Sequence, residues 1–228
     1  MILDIYKDAF EFASRKISIL FVLGVLSFFN ILIIPAVFFY GYNYRVVKLS
    51  TQSMINGDEV PPAFDDLKKM FIDGLKFVFV FLCYLIVPTI IIVLSLSNGS
   101  INVILLVIGL ILLLIARLFS YLAIPYMATN GDSLKSAFAV SEINKVMASI
   151  GYARYIISYL GILLVSVTIF IVIFVMLSFV VALFDMAVPT VYGNFIGSFL
   201  MKLVLLFIVA PYLSLFQTRC AGLIYNIG

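Results

Sequence analysis

Long apolar runs recur along this 228-residue chain, and they limit its possible folds more than any other feature. Hydrophobic residues make up 65% of the chain and charged residues 11%, and the mean hydropathy is +1.26. A water-soluble domain has about 45–50% apolar and about 25% charged residues. Because so few polar groups cannot cover a globule in water, the composition predicts that the chain lies in a lipid bilayer.

Five of these runs are long enough to cross a bilayer as helices, which requires about 20 residues each. We therefore predict an all-α integral membrane protein that forms a single membrane domain over residues 1–228. Asn30 and Pro35 interrupt the first run, and whether it crosses fully or re-enters on the same side stays open. The predicted spans are 17–40, about 75–96, 101–124, 155–184 and 195–216.

A nine-residue pattern that begins Asn-Gly-Asp and ends Ala-Phe occurs twice, at 56–64 and at 130–138. Each copy is followed by an amphipathic stretch, by two apolar runs with a short break between them, and by a Pro-Tyr pair. The pattern predicts two parallel repeats, 56–126 and 130–212, each an interfacial helix followed by a helical hairpin. Residues 213–228 are predicted to form a tail.

Amphipathic stretches are predicted to lie as helices along the membrane surface. In residues 1–16, charged residues that include Asp8 recur on one helical face and apolar residues that include Leu3 on the other. A loosely packed, solvated tail is the alternative for this segment. Residues 41–74 are predicted to be a long polar connection that contains the second interfacial helix. Three tyrosines at its start suit the aromatic belt of a membrane protein: Tyr40, Tyr42 and Tyr44.

Basic residues divide unevenly between the predicted connections. Segment 41–76 holds five Lys or Arg and segment 125–154 holds three, whereas 97–100 and 185–194 hold none. The positive-inside rule therefore predicts a multi-pass cell-membrane protein with both motif segments and the C-terminus in the cytoplasm. Five spans would put the basic N-terminal segment outside, which conflicts mildly with that rule. The conflict disappears if the first apolar run re-enters.

The sequence offers little for catalysis, cofactors or nucleic acid. It has no His, its two Cys lack motif spacing, and a net charge of +3 is too small to predict nucleic-acid binding. Clustered acids at 58–73 could hold a divalent cation, but the lysines that alternate with them favour a solvated helix face. We predict no enzyme activity, no cofactor and no metal site, and nothing in the sequence supports the alternative of an intramembrane enzyme.

Two basic residues lie inside predicted spans. Arg117 precedes Pro125 by eight residues and Lys202 precedes Pro211 by nine, so the repeats would place both cations at nearly equal depth. A charge at the bilayer centre costs about 2.5–3.5 kcal/mol on insertion scales and marks a functional site by default. One hypothesis is a paired cationic lining for an anionic substrate or lipid headgroup. The alternative is that both side chains snorkel to the interface.

Several short blocks carry a resemblance to a known family. They are Gly41-Tyr42-x-x-Arg45, Gly57-Asp58-x-x-Pro61-x-x-Phe64-Asp65-Asp66, Phe71-x-Asp73-Gly74-Leu75, Gly151-Tyr152, Pro211-Tyr212 and Ala221-Gly222. Over nearly the whole chain, this arrangement resembles the uncharacterised, largely archaeal membrane family known as domain of unknown function 4013. The resemblance implies a multi-span membrane fold. It transfers no catalytic residue, because the family has no established activity.

Two functional hypotheses follow. The first is a non-enzymatic scaffold whose cytoplasmic helices bind a membrane or cytoplasmic protein partner or shape the membrane. The second is a small transporter, channel or lipid-handling protein that uses Arg117 and Lys202. The candidate functional residues are these two cations and the polar or glycine residues of the motif segments: Arg45, Asp58, Asp65, Asp66, Asp73, Gly74 and Asp132.

Overall fold

The regular structure of the described part of the chain is entirely helical, which confirms the all-α prediction. A computed structural model describes residues 1–97, 101–187 and 190–228, so most of the turn predicted at 97–100 and part of the loop predicted at 185–194 lie outside it. The helices are α1 (Ile2–Ser14), α2 (Ile17–Phe28), α3 (Ile33–Ser50), α4 (Leu67–Leu96), α5 (Val103–Thr129), α6 (Leu134–Ala137), α7 (Val140–Ile150), α8 (Tyr152–Ala187), α9 (Thr190–Val204), a π-helical turn (Leu205–Val209) and α10 (Ala210–Tyr225).

Four helices within the described ranges are long and apolar enough to cross a bilayer. They are α4, α5, α8 up to Phe184, and the helix Ile196–Tyr225, which joins most of α9 to the π-helical turn and α10. At 1.5 Å per residue these helices are about 40–50 Å long, against a hydrocarbon core of about 30 Å. The chain is therefore a multi-pass membrane protein.

The predicted first span, 17–40, is not one helix. α2 ends at Phe28, and α3 begins at Ile33 after a short turn. Pro35 lies in the first turn of α3, where a missing backbone N–H removes no intrahelical hydrogen bond. α2 is about 18 Å long and too short to cross a bilayer. The predicted count of five spans is therefore not confirmed, and α2 and α3 form a helical hairpin.

α3 lies at the centre of the fold, although the sequence analysis ended a span and began a polar connection near Gly41. Tyr42 and Tyr44 are fully buried, so both tyrosines belong to the core and not to an aromatic belt. A Cβ on Gly41 would collide with the carbonyl of Met70, and one on Gly74 with the carbonyl of α3 that faces it. α3 and α4 therefore cross backbone to backbone, through a contact that only glycine permits.

The two predicted repeats differ where their interfacial helices should be. In the first repeat α4 runs without a break from Leu67 to Leu96, so no separate interfacial helix precedes the long one. In the second repeat the short helices α6 and α7 precede α8. The motif turns differ too: the left-handed residue is Asn56 in the first copy, whereas Gly131 and Asp132 are left-handed in the second. One sequence pattern thus marks two different turns, and the duplication stays a prediction.

The C-terminal segment is not a loose tail. Residues 213–225 continue the last helix, and Phe216, Cys220, Leu223 and Ile224 are fully buried. The aromatic rings of Phe216 and Phe10 stack with centroids 4.2 Å apart, which fixes α1 against α10. The two ends of the chain therefore pack against each other.

Candidate functional site

A polar cap closes one end of the helices; we define it as α1, segments 51–66 and 130–139, α7 and the C-terminal end of α10. Arg15 donates hydrogen bonds to the carbonyls of Gly57 and Glu59 at 2.8 and 2.6 Å. Asn226 donates to the carbonyls of Ser50 and Ser53 at 3.1 and 3.0 Å. Both ends of the chain therefore lie at the same end of the molecule as the first motif copy.

Arg45 of α3 holds the first motif segment. Its Nη1 donates to the carboxylate and to the carbonyl of Asp65, both at 2.7 Å, and its Nη2 donates to the carbonyl of Asp66 at 2.8 Å. Asp66 has a left-handed backbone and its carboxylate accepts from the backbone N–H of Lys69, which caps α4. These contacts determine that α4 begins at Leu67.

Lys48 of α3 holds the second motif segment. Its Nζ donates to both carboxylate oxygens of Asp132 at 2.9 and 2.7 Å. The hydroxyl of Tyr44 donates to the same carboxylate at 2.7 Å. Nζ of Lys76 donates to the backbone carbonyl of Asp132 at 2.9 Å. Burial alone would raise the pKa of Asp132, but the hydrogen bonds from Lys48 and Tyr44 and the charges of both lysines outweigh it. The pKa of Asp132 therefore lies below its usual range, and Asp132 ties α3 and α4 to the second motif as a carboxylate.

A buried ion cluster that sequence reasoning missed joins the two ends of the chain. Arg219 is fully buried, and its Nε and Nη2 donate to Asp8 and Glu59 at 2.7 and 3.1 Å. Asp8 also accepts from the backbone N–H of Asn56 at 2.6 Å. From the sequence, Asp8 was predicted to lie on the charged face of an interfacial helix and Arg219 in a tail. One feature of the sequence could have indicated a buried partner for Arg219: it is the only charged residue in the sequence after Lys202.

Most of the motif residues predicted to be functional are therefore occupied by contacts inside the protein. Arg45, Asp65, Asp66 and Asp132 form the bonds described above, and Gly74 forms the helix crossing. Two acids differ from these. Asp58 is exposed in segment 51–66, whereas Asp73 is buried within electrostatic range of Asp132 and Lys48.

Next to the polar cap, a cavity of about 450 Å³ lies among α2, α3, α4, α5, α8 and the helix Ile196–Tyr225. We call it the Arg117 cavity; its polar lining residues include Asn43, Arg117, Ser120, Tyr121, Ser214 and Gln217. The guanidinium carbon of Arg117 lies 4.6 Å from the centre of the Phe81 ring. None of the ion pairs found among the described residues includes Arg117.

Asn43 gives the cavity a second polar group that lacks a partner. Its side chain is 1% exposed, and within the described part of the chain its Oδ1 has no hydrogen-bond partner. More than about 90% of buried polar groups in folded proteins are hydrogen-bonded. A buried amide oxygen and a guanidinium without a carboxylate therefore line the same cavity.

Two hydrogen bonds fix the relative height of α5 and α10. Tyr121 Oη donates to the carbonyl of Gln217 at 2.8 Å, and the hydroxyls of Thr129 and Tyr225 lie 2.9 Å apart. Both bonds join residues 96 positions apart. The two helices therefore run parallel in a constant register, and a residue of α5 is level with the residue of the last helix 96 positions later.

This register separates the two cations that the sequence analysis placed at equal depth. Arg117 is level with Leu213, whereas Lys202 lies eleven residues before Leu213, about 16 Å further from the polar cap. The prediction measured depth from Pro125 and Pro211, which are 86 residues apart and so are not level in a register of 96. Arg117 and Lys202 are both exposed, but Lys202 is not among the described residues that line the Arg117 cavity.

Fold and site together define an all-helical, multi-pass membrane protein with a polar cap and an internal polar cavity. The chain belongs to the family described as "Protein of unknown function (DUF4013)", which matches residues 28–182 and confirms the resemblance. The matched region contains α3, both motif segments and Arg117, and it excludes Lys202 and Arg219. No curated protein and no solved structure matches the chain.

Proposed function

We propose that this protein is a non-enzymatic, lipid-handling membrane protein that takes an amphiphile from the bilayer into the Arg117 cavity. The observation that carries this proposal is that two residues line one cavity: Arg117, an exposed cation with no ion pair among the described residues, and Asn43, whose buried Oδ1 lacks a hydrogen-bond partner there. Most of the charged motif residues that were predicted to be functional form contacts within the protein, as Arg45, Asp65 and Asp132 do. Arg117, in contrast, forms no ion pair within the described part of the chain, and the Oδ1 of Asn43 accepts no hydrogen bond there.

The depth of Arg117 argues against snorkelling. Arg117 lies twelve residues before the last residue of α5, Thr129, and fourteen after the first, Val103. If the bilayer core of about 30 Å is centred on α5, the Cα of Arg117 lies about 13–17 Å from either edge of that core. Snorkelling serves long side chains near helix ends, and a cation at mid-depth normally faces a protein interior or a polar cavity.

Lateral access supports a ligand that comes from the bilayer. α5 and α8 meet next to Arg117 on α5, where Tyr155 Oη donates to the carbonyl of Leu118 at 2.6 Å and the rings of Tyr121 and Tyr159 lie 5.1 Å apart. Further from the polar cap the side chains of both helices are exposed, including Ile111 on α5 and several residues on α8: Leu164, Val167 and Ile171. We therefore place the route of an amphiphile from lipid into the cavity between these two helices.

The lining of the cavity supports a binding role over a catalytic one. Its ionisable groups among the described residues are the guanidinium of Arg117 and the phenols of Tyr40, Tyr121 and Tyr159. A general base is normally a His or a carboxylate with a pKa near the operating pH. These lining residues bind and orient a ligand but offer no such base.

In the proposed membrane arrangement the polar cap faces the cytoplasm and the α2–α3 hairpin re-enters from that side. Four spans then keep both termini in the cytoplasm, so the basic residues of α1 lie on the same side as both motif segments. This removes the conflict with the positive-inside rule that five spans create. We retain the duplication in this proposal, since each motif segment precedes one membrane hairpin: α4–α5 after the first and α8 with Ile196–Tyr225 after the second.

A scaffold role is the second candidate function, with the polar cap as the surface for a cytoplasmic or membrane protein partner. It is favoured by α7, which buries Ile143, Met147 and Ile150, exposes Lys145 and leaves Glu142 half-buried. α7 therefore presents a charged face on the outside of the polar cap, and α1 presents Lys7 and Glu11 in the same way. A partner that co-purifies with the wild type and is lost from a variant with an altered α7 face would establish this role.

Lipid retention tests the lipid-handling proposal. The wild type, R117Q and the matched control K202Q are purified in the same mild detergent, and bound lipid per protein is quantified by mass spectrometry. We expect the wild type and K202Q to retain lipid and R117Q to lose most of it, since only Arg117 lines the cavity. Equal retention by R117Q would contradict the proposal, provided that R117Q keeps the helical content and monodispersity of the wild type.

A further inference from the structure

We infer that the Arg117 cavity selects an amphiphile whose headgroup carries a single negative charge beside a neutral hydrogen-bond donor, such as a hydroxyl. This inference rests on the proposed function, which requires only that some amphiphile enters the cavity. It adds the charge and the hydrogen-bonding class of the ligand, both of which follow from the residues of the lining.

The charge of the ligand follows from the balance of charge in the lining. Within the described part of the chain, the cavity is lined by one cation, Arg117, and by no acid. A ligand with one negative charge leaves the cavity neutral, and a guanidinium binds a phosphodiester or carboxylate through two parallel hydrogen bonds. A ligand with two negative charges would leave one of them uncompensated in a site of low dielectric, which is costly.

A zwitterionic headgroup suits this lining less well. Its ammonium group would have to lie near the guanidinium of Arg117, and the lining supplies no carboxylate to bind it. The aromatic face of Phe81 already lies under Arg117, and an ammonium group at any other ring of the lining would still share the cavity with the guanidinium. Like charges repel strongly where water is excluded. The lining therefore discriminates against a positive charge in the ligand.

The need for a neutral hydrogen-bond donor in the headgroup follows from Asn43. Its Oδ1 is buried without a partner, so the group that completes it must donate a hydrogen bond. Asn43 stands on α3 and Arg117 on α5, so a headgroup that satisfies both residues bridges the two helices. Ser120 and Ser214 add hydroxyls to the same lining. Hydroxyl groups next to the anion meet these requirements.

The size of the cavity limits how much of the ligand lies inside. A volume of about 450 Å³ falls at the lower end of the range for small-molecule pockets, about 300–1,000 Å³. This volume suits a headgroup, and the acyl chains then extend through the space between α5 and α8 into the bilayer. A free anion of the same charge would occupy the cavity without using that space, so the source of the anion can be tested separately.

Short-chain lipids test the inference directly. Binding of dioctanoyl phosphatidylglycerol, dioctanoyl phosphatidylcholine and inorganic phosphate is measured on the full-length protein in detergent by native mass spectrometry. Phosphatidylglycerol carries one phosphodiester and two hydroxyls, whereas phosphatidylcholine carries the same phosphodiester and a quaternary ammonium. We expect the wild type to bind phosphatidylglycerol at least tenfold more tightly than phosphatidylcholine, with no competition from millimolar phosphate.

Variants assign that preference to residues. R117Q should abolish the preference for phosphatidylglycerol, and R117K should keep part of it. N43L should weaken the binding of phosphatidylglycerol severalfold and change the binding of phosphatidylcholine little. K202Q should match the wild type. If N43L does not fold, R117K alone still tests the charge: a preference lost from folded R117K as completely as from R117Q would overturn selection by charge, because lysine keeps the positive charge.

The remaining outcomes separate this inference from the proposed function. Equal binding of the two lipids by the wild type would overturn the inference and leave the proposed function intact. No binding of either lipid would overturn both. Competition by inorganic phosphate at the concentration at which phosphatidylglycerol binds would identify a free anion as the ligand, which also overturns both.

Discussion

Arg219 and Arg117 show how differently one side chain can be accommodated in a membrane protein. Arg219 is fully buried, forms ion pairs with Asp8 and Glu59, and lies with its guanidinium carbon 4.8 Å from the ring centre of Phe12. Arg117 contacts an aromatic ring but pairs with no carboxylate among the described residues. A buried cation with two acids is a structural tie, whereas a cation beside a cavity is available to a ligand.

Removing Arg219 should destabilise the protein strongly. R219M leaves Asp8 and Glu59 as acids without their buried partner, and breaking a buried ion pair costs about 3–5 kcal/mol. The free energy of unfolding in detergent, measured by chemical denaturation, should fall by that amount. K7Q is the control, because Lys7 is exposed and its contact with Glu11 is a surface ion pair. A change of less than about 1 kcal/mol in R219M would mean that Arg219 is not buried as described.

Asp132 should contribute a pH-dependent share of stability. The folded protein holds the pKa of Asp132 below its ordinary value of 3.8, so the folded state binds fewer protons there than the unfolded state. This share is fully present above the ordinary value, and it is lost as the pH falls through the lowered pKa of the folded state. The melting temperatures of wild type and D132N should therefore differ by a constant amount at neutral pH and converge in acid.

D58N is the matched control for this measurement, since Asp58 belongs to the other motif copy and is exposed. Its melting curve should follow that of the wild type. A difference between wild type and D132N that stays unchanged as the pH falls well below 3.8 would contradict the assignment, because the contribution of Asp132 must shrink once the unfolded state is protonated.

At the scale of single elements, long helices were predictable and their contacts were not. Hydropathy is averaged over windows of about 20 residues, so α4, α5 and α8 could be recognised from the sequence without knowing their neighbours in the fold. α3 was missed beyond Gly41 because Tyr42, Asn43 and Tyr44 are polar residues that only tertiary contacts bury, and Lys48 finds its partner only through such a contact. The same limit applies to the cavity: Arg117 was identifiable as an intramembrane charge, but the presence of Asn43 in the same lining depends on how α3 packs.

The crossing of α3 and α4 makes a prediction at this scale. Alanine in place of glycine in a helix interior normally stabilises by about 1 kcal/mol. In G74A, however, the new Cβ would collide with the carbonyl of Val37, which is backbone and cannot rotate away. We expect G74A to lower the free energy of unfolding by about 1–3 kcal/mol, as measured by denaturation in detergent.

G109A is the comparison for G74A. A Cβ on Gly109 would meet the side chain of Ile92, which can adjust its rotamer. The loss of stability should therefore be clearly smaller in G109A than in G74A. If G74A were as stable as the wild type or more so, α3 and α4 could not cross as closely as described.

At the scale of the whole molecule, the polar cap gathers segments from both ends and the middle of the chain. Contacts between residues more than 200 positions apart, such as Asp8 with Arg219, leave no pattern in a sequence read window by window. The offset of 96 residues between level positions of α5 and α10 also cannot be seen in the sequence. This offset shows that Lys202 lies at a different depth from Arg117. That the chain lies in a lipid bilayer was predictable from its composition, because composition is a property of the whole chain and does not depend on which residues contact each other.

The proposed membrane arrangement predicts that both termini lie on one side. In sealed vesicles, cysteines introduced at Lys7 and at Lys145, in a background in which Cys83 and Cys220 are replaced by Ala, should be labelled by a membrane-impermeant maleimide from the same side only. Labelling of the two positions from opposite sides would contradict four spans and support the arrangement with five spans. Protein solubilised in detergent should be labelled at both positions, which controls for reactivity.

The position of Arg219 bears on the order in which the chain is made. Asp8 and Glu59 are synthesised long before their cation, which follows them by 211 and 160 positions. Until Arg219 has been made, both acids lack their partner and the face of α3 that packs against α10 lacks its neighbour. A chain truncated before α10 should therefore expose these groups together.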